Sequence, residues 1–204
     1  MFLVMRDIRG KSSQELVTIL RARLNDEAET LASNDRFRLH GMNGRHIRRL
    51  LARMTDHVET KSGLASRYPE YVKTGKNKYE IEHIWADHPE DHVDEFDHAS
   101  DFQEYRNRVG DLLLLPKSFN ASYGDLPYED KLEHYFGQNL LVRSLHPKCY
   151  EHNPGFTRYV QESGLPFRPY LHFKRAEVDA RQRLYQLLAA QIWNPELLSQ
   201  ELNS

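Results

Sequence analysis

The sequence predicts a mainly α-helical domain of the α+β class, in which two short strands and a helix form a small ββα unit near the middle of the chain. Three observations lead to this fold class. Several segments carry apolar residues at helical spacing, only residues 78–84 and 112–115 have strand character, and a helix start follows the second strand directly. With 204 residues, 39% of them hydrophobic and 11% aromatic, the chain is long enough to bury a sizeable core.

Two amphipathic helices are predicted in the N-terminal part. The first spans residues 12–31 with Ser12 or Ser13 as its N-cap, and the second spans residues 43–63. The second has an apolar face made of Ile47, Leu50, Leu51, Met54 and Val58, and a basic face made of Arg45, Arg48, Arg49 and Arg53. No acidic residue occurs between Arg36 and Arg53, so this face is predicted to contact DNA phosphates, with a solvated helix face as the alternative.

The rest of the chain is predicted to consist of short elements around the two strands. Residues 68–78 are expected to form a loop, and residues 87–104 an irregular, surface-exposed acidic segment. Further helices are predicted over residues 118–122, 127–138, 155–161 and 176–193. The domain thus divides into an N-terminal helical part (1–75), a central part with the ββα unit (76–140) and a C-terminal helical part that packs on it (141–204). We expect the aromatic side chains of Phe167, Tyr170 and Trp193 in the core rather than on a base-stacking surface.

Composition excludes several classes of protein. A formal net charge of -2 gives no overall basic field, so any contact with nucleic acid has to come from local charge. The single cysteine, Cys149, excludes a disulfide framework and a zinc site with several thiolates, and is typical of a reducing cytoplasm. The longest apolar run is residues 112–115, and the N-terminus has no features of a signal peptide, so we expect a cytoplasmic protein without a membrane span.

The residues with the clearest chemical potential lie at the predicted strand ends. Glu82 and His83 end the first strand, and Asp111 precedes Asn120 by nine residues with the leucine run between them. A histidine can take a proton from water at neutral pH. Carboxylate and amide oxygens are suitable ligands for a magnesium-like ion, which can stabilise charge on a leaving oxygen. This combination predicts metal-assisted hydrolysis of phosphodiester bonds.

The acidic segment 87–104 contains three histidines, His88, His92 and His98, which raise a zinc site as an alternative. Pro89 lies between the first two and the neighbours are carboxylates, so the pattern disfavours zinc. An acidic segment beside a DNA-cutting site would repel the substrate unless it turns away, closes over the site as a lid or binds cations.

Three stretches, EIEHI, RNRVGDLLLLPKSFN and YGDLPYEDKLEHY, together resemble the C-terminal domain of GmrSD-type restriction endonucleases, which belongs to the HNH nuclease superfamily. The resemblance is best from Tyr79 to Tyr135 and implies a ββα-metal core. It implies that His83 is the general base and that Glu82 and Asn120 bind Mg²⁺ or Mn²⁺. The family usually has Gly-Asn-Leu where this chain has Gly-Asp-Leu, and that asparagine braces the loop that carries the base. The resemblance thus adds Asp111 to the catalytic set, and Asn107 as a source of the missing amide donor.

The resemblance further implies a DNA endonuclease domain that nicks one strand, as the effector of a modification-sensing restriction or phage-defence protein. Its partners would be DNA and an N-terminal nucleotide-binding sensor domain, which is absent from this sequence. Arg106, Lys117 and Lys131 are further candidates for phosphate contacts, although Lys131 could instead pair near Glu82. Two other hypotheses remain open: an inactive HNH-like scaffold that binds DNA or a partner protein, and a helical interaction module built on the N-terminal helices.

Overall fold

The computed structural model describes residues 2–26, 30–31 and 33–200. Within these ranges the protein is mostly helical with one two-stranded antiparallel sheet. The strands are β1 (Tyr79–His83) and β2 (Leu112–Pro116), and the α-helices are α1 (Phe2–Ile8), α2 (Ser13–Asp26), α3 (Gly44–Lys61), α4 (Tyr68–Val72), α5 (Ala99–Arg106), α6 (Lys117–Tyr123), α7 (Tyr128–Tyr135), α8 (Leu140–Arg143), α9 (Pro154–Ser163), α10 (Arg175–Ile192) and α11 (Leu197–Gln200). The predicted α+β class is therefore confirmed.

Strand β2 separates two hydrophobic cores. Leu112 and Leu114 belong to the first, whereas Leu113 and Leu115 belong to the second. Successive side chains of a strand point to opposite faces, so four consecutive buried leucines require packing on both sides of the sheet. The first core is built around α3 and includes α8, α9 and α10, and the second includes α6, α7 and the buried Trp85. The sheet is thereby held rigidly from both faces.

Helix α10 packs closely on the turn that leads into β2. A Cβ atom on Gly110 would lie 2.2 Å from the carbonyl oxygen of Val178 and 2.7 Å from the backbone nitrogen of Gln182. The Gly110 N–H donates to the side-chain oxygen of Gln182 at 2.8 Å. Glycine is therefore required here, because any side chain would push α10 away from the sheet.

The N-terminal helix α2 is peripheral. Ser12 caps it, since the Glu15 N–H faces Ser12 Oγ at 3.3 Å and the Glu15 carboxylate accepts from the Ser12 N–H at 2.9 Å. None of its residues is fully buried. The helix is described up to Asp26, the predicted residues 27–29 lie outside the described residues, and residues 30–31, which the prediction also included, are not helical.

Two predicted irregular segments contain helices. Residues 68–72 form α4 rather than loop, and residues 99–106 form α5 within the acidic segment, which also has a single 3₁₀ turn over Pro89–His92. Phe102 is completely buried on α5, so one aromatic contact stabilises a helix too short to show a periodic pattern. Phe136, just after α7, is 37% exposed.

The core is shared by all three predicted parts of the chain. The first core includes Leu51 from the N-terminal part, Leu112 from the central part and Leu184 from the C-terminal part. No helix in the described ranges is both long and apolar enough to cross a membrane.

Candidate active site

The predicted ββα unit is formed by β1, β2 and α6. Antiparallel pairing of the strands places Glu82 and His83 at the end of the sheet. Helix α6 follows β2 without a loop, and Asn120 on this helix donates from Nδ2 to the carbonyl oxygen of Ile81 at 3.3 Å. This bond holds α6 against β1 and brings Asn120 beside the residue that precedes Glu82.

The imidazole of His83 is oriented by Asn107, the residue that ends α5. Asn107 Nδ2 donates to the carbonyl oxygen of Gln103 at 2.8 Å, so Asn107 Oδ1 faces His83 Nε2 at 3.2 Å. A carbonyl-type oxygen can only accept, hence Nε2 carries the proton and Nδ1 keeps its lone pair. Within the described ranges Nδ1 has no hydrogen-bond partner, and it is not one of the enclosed atoms. His83 therefore presents the nitrogen that a general base needs.

The surroundings of His83 keep its ring neutral. Burial lowers the pKa of His83 to about 4, and the positive charge of Arg106 acts in the same direction. The hydrogen bond to Asn107 and the charge of Asp87 partly oppose this shift. A phosphate anion beside Arg106 would offset the charge of the guanidinium and raise the pKa of the imidazole. The base would then become stronger when substrate is bound.

Glu82 forms a buried pair with Lys131 of α7. Glu82 is 6% exposed and Lys131 is fully enclosed. Lys131 Nζ donates to Glu82 Oε1 at 3.1 Å and to the carbonyl oxygens of His83 and Ile84 at 3.2 Å each. Burial raises the pKa of Glu82 and lowers the pKa of Lys131, while the attraction between them opposes both shifts. Lys131 thus ties Glu82 to the loop after the candidate base.

The predicted contact of Lys131 with DNA is not compatible with this enclosed position, because its ammonium group has no surface from which to reach a phosphate. A signal in the sequence could have shown this. Tyr128, Lys131, Leu132 and Tyr135 follow helical spacing, and all four are buried. Lys131 therefore belongs to the inward face of α7, and a lysine on such a face needs a buried acceptor.

Asn120 and Glu82 have the donor atoms that a divalent cation requires. Asn120 Oδ1 is buried and has no hydrogen-bond donor in the part of the chain that is described. A Cβ atom on Gly124 would lie 3.7 Å from Glu82 Oε1 and 2.7 Å from the backbone carbonyl oxygen of Asn120, so this glycine lies beside both residues. A buried acceptor without a donor is costly, and a cation would satisfy it. Carboxylate and amide oxygens fit Mg²⁺ or Mn²⁺.

Asp111 braces the loop that follows His83. It is completely buried, its Oδ1 accepts from the Trp85 N–H at 3.2 Å, and its backbone oxygen accepts from the Ile84 N–H at 2.8 Å. Burial raises the pKa of Asp111 well above its ordinary range, which favours the neutral carboxyl. The other oxygen, Oδ2, is enclosed without a partner among the described residues. Asn107 does not supply the missing donor, because its amide is bonded to Gln103.

The positive charge of Arg106 acts on both Glu82 and His83. Successive strand residues point to opposite faces, so Glu82 and His83 approach the end of the sheet from its two sides. Arg106 lowers the pKa of both side chains, and its Nε donates to the carbonyl oxygen of Trp85 at 3.2 Å. Of the predicted phosphate contacts, Arg106 has the strongest effect on the pKa of the candidate base.

The other residues predicted to contact phosphate differ in their exposure to solvent and in their hydrogen bonds. Arg45, Arg49 and Arg53 are exposed on α3, and Lys117 is exposed at the start of α6. Arg48, in contrast, is half-buried and donates to the carbonyl oxygens of Tyr71, Lys73 and Tyr79 at 3.0, 2.6 and 2.7 Å. Its guanidinium joins α3 to α4 and β1, and we assign it to this structural contact.

Residues 92–95 of the acidic segment pack against Trp85 and the start of α10, whereas the charge of Asp87 acts on His83. His92 packs on Trp85 with ring centroids 4.2 Å apart, and Lys174 at the start of α10 donates to Asp94 at 3.2 Å. Glu95 accepts from the Arg175 N–H at 2.8 Å. Of the three alternatives for this segment, these contacts favour the first for residues 92–95, because they bind these residues to α10.

The structure gives no support to a zinc site in this segment. His88 contacts Glu90 and Asp125 at 3.0 and 3.1 Å, and His92 contacts Glu95 at 3.0 Å. In the described ranges no group of three or more His, Cys, Asp or Glu side chains is arranged to hold a metal ion. A cation at Glu82 and Asn120 would therefore depend on few protein ligands.

The comparisons with known proteins identify the family of this chain. The family model for GmrSD restriction endonucleases, C-terminal domain, matches residues 6–186, a range that includes α2 to α9 and most of α10. Neither the curated proteins nor the solved structures contain a match to this chain. Because the match covers most of the sequence, the chain belongs to the family of C-terminal domains of GmrSD restriction endonucleases.

Proposed function

We propose that this domain is an HNH-type endonuclease that nicks DNA by metal-dependent hydrolysis of a phosphodiester bond. The family indicates a nuclease domain of a restriction endonuclease, with DNA as its substrate. The observation that carries the finer proposal is the hydrogen bond from His83 Nε2 to Asn107 Oδ1, which leaves Nδ1 free to accept a proton. His83 lies at the same end of the sheet as Glu82 and Asn120.

In the proposed reaction, His83 Nδ1 takes a proton from water while the water oxygen attacks phosphorus and the bond to the leaving oxygen breaks. Arg106 attracts the phosphate, and the bound anion offsets the charge of the guanidinium and so raises the basicity of His83. Asp111 and Lys131 hold the loop after His83 in place through the Trp85 N–H and the carbonyl oxygens of residues 83 and 84. Mg²⁺ or Mn²⁺ held by Glu82 and Asn120 would stabilise negative charge on the leaving oxygen.

One base and one metal site act on one strand, so we propose nicking as the product of a single copy. Cleavage of both strands would need a second copy or a second event. Exposed Lys117 and the α3 arginines would position the DNA backbone rather than read bases. Recognition of modified DNA would belong to a nucleotide-binding N-terminal partner domain.

A plasmid assay tests the mechanism directly. Supercoiled plasmid is incubated with Mg²⁺ or Mn²⁺, or with EDTA, and the rate at which open circles form is measured. His83→Ala should lower the rate by about 10² to 10⁴, the usual contribution of a general base. Asn120→Ala should raise the metal concentration required for half-maximal rate. His152→Ala removes an exposed histidine and serves as the matched control. Undiminished nicking by His83→Ala would remove the base from the mechanism.

One observation favours a second candidate function, a catalytically inactive scaffold that binds DNA or a partner protein. Lys131 Nζ already neutralises Glu82, as a substitute cation would. The two functions differ in metal binding, which electron paramagnetic resonance of free Mn²⁺ measures without any turnover. Loss of free Mn²⁺ signal that depends on Asn120 supports the nuclease, and an unchanged signal at millimolar Mn²⁺ supports the scaffold.

A further inference from the structure

A concave surface outside the active site is lined by one face of α3. His46, Arg49, Leu50 and Arg53 follow the i, i+3, i+4, i+7 spacing, which places them on one side of the helix. Together with Tyr68 and Trp193 they line a cavity of about 510 Å³. This volume lies within the usual range for small-ligand sites. We call these six residues the Trp193 surface.

Trp193 itself is on the surface and not in the core, contrary to the prediction. It follows the last residue of α10, its N–H donates to the carbonyl oxygen of Ala189 at 2.9 Å, and its side chain is 48% exposed. The other tryptophan, Trp85, is 2% exposed and donates from Nε1 to the carbonyl oxygen of Phe173 at 2.7 Å. A partly exposed indole offers a face on which a ligand can stack.

The cations of this surface are available to a ligand. Arg49 has no hydrogen-bond or ion-pair partner in the described ranges, and Arg53 Nη1 lies 3.6 Å from Asp56 Oδ2, beyond hydrogen-bond distance. The other oxygen of Asp56 accepts from the backbone N–H groups of Arg67 and Tyr68 at 2.8 and 2.9 Å. Two guanidinium groups beside an exposed indole can bind a phosphate and a base together.

We propose that the Trp193 surface binds an unpaired nucleotide of DNA, with its base stacked on Trp193 and its phosphate held by Arg49 and Arg53. A base inside a duplex is covered by its neighbours, so only an unpaired base can offer its face to the indole. None of the six lining residues belongs to the set around His83. This site would hold single-stranded or opened DNA, and the proposal takes DNA from the family but does not require cleavage.

Tryptophan fluorescence tests the stacking contact in EDTA, where no metal-dependent cleavage occurs. An oligothymidylate of about twelve nucleotides, within the usual site size of single-strand binding proteins, is titrated into the full chain. Because Trp85 is enclosed, quenching reports on Trp193. Inorganic polyphosphate is the control, since it offers charge without bases. We expect the oligonucleotide to quench the fluorescence and polyphosphate to leave it unchanged.

Affinity is measured separately by fluorescence anisotropy of an end-labelled oligonucleotide. Trp193→Ala should weaken binding by about tenfold with an unchanged salt dependence, because one stacking contact is lost. The slope of log affinity against log salt concentration is negative. The double variant Arg49→Ala, Arg53→Ala should make it less steep by about 1.4, the value for two phosphates of single-stranded DNA. Arg168→Ala, on an exposed arginine elsewhere, should change neither quantity.

Three outcomes would overturn the proposal: no quenching by the oligonucleotide, equal quenching by polyphosphate, or full affinity in Trp193→Ala. The last would leave the surface as a contact for a partner protein. The result is independent of the nuclease proposal, because quenching in EDTA with no plasmid nicking would reject only the hydrolysis. Nicking that depends on His83 without quenching would reject only the nucleotide site.

Discussion

The active site and the Trp193 surface use positive charge in opposite ways. In the active site Lys131 is enclosed and bonded to three oxygen atoms, whereas on α3 Arg49 and Arg53 face solvent. All three residues were predicted from their charge to contact phosphate. The difference shows that a cation on the inward face of its helix stabilises the fold, whereas a cation on the outward face remains accessible to solvent.

Removal of Lys131 should have the largest effect on stability. Lys131→Met leaves the buried Glu82 carboxylate without its partner, and loss of one member of a buried pair typically costs about 3–5 kcal/mol. Arg49→Ala should change the free energy of unfolding by less than about 0.5 kcal/mol, as usual for exposed positions. Urea unfolding followed by circular dichroism measures both values.

A double variant separates loss of the pair from loss of packing. Lys131→Met combined with Glu82→Gln removes the unpaired charge and should recover part of the stability lost in Lys131→Met alone. If Lys131→Met is as stable as the wild type, the ion pair between Lys131 and Glu82 does not stabilise the fold. Lys131 would then not differ in this respect from the exposed arginines of α3.

The second prediction concerns the pH dependence of stability. Burial lowers the pKa of His83 from 6.5 to about 4, so the unfolded chain binds the proton more readily between these values. The wild type should therefore lose stability as pH falls from 6.5 to 4, and His83→Gln should lack this contribution. The difference amounts to roughly 2–3 kcal/mol. Urea unfolding at a series of pH values measures it.

Above pH 7.5 the histidine is neutral in both the folded and the unfolded state. The difference in the free energy of unfolding between wild type and His83→Gln at this pH is therefore the reference. A constant difference between wild type and His83→Gln over the whole range would show that the ring is not enclosed in the manner described. It would then resemble the exposed charges of α3 rather than a preorganised base.

The ββα unit was predictable because its signals are local. The leucine run of β2, the helix start directly after Pro116 and the Glu82-His83 pair at the end of β1 all lie within short segments. Strand periodicity explains the leucines without reference to the rest of the chain. The family resemblance then related Asn120 to Glu82, and the structure places Asn120 beside β1.

The features that the sequence did not predict depend on packing between distant segments. Helix α5 is stabilised by Phe102 against Trp85, with ring centroids 5.6 Å apart, and such a contact leaves no local periodic signal. Its last turn then presents Asn107 to His83. The exposure of Trp193 depends on where α10 ends relative to α3. The burial of Lys131, in contrast, could have been predicted from the sequence, because Lys131 shares the helical spacing of the inward face of α7.

Asp111→Asn should have the smallest effect and decides whether the enclosed carboxyl is neutral. Asparagine can accept the same bond from the Trp85 N–H, so at pH 5 the free energy of unfolding should change by less than about 1 kcal/mol. Burial raises the pKa of Asp111 above its unfolded value, so the folded wild type holds a proton that the unfolded chain releases as pH rises. The wild type therefore loses stability with rising pH and the asparagine variant does not, with a slope of at most about 1.4 kcal/mol per pH unit.

Urea unfolding at pH 5 and pH 8 measures this pH dependence, with Asp111→Leu as the control that removes the acceptor of the Trp85 N–H. A constant difference between wild type and variant from pH 5 to pH 8 would mean that Asp111 is ionised in the folded state as well, and the loop after His83 would then be held by a buried charge.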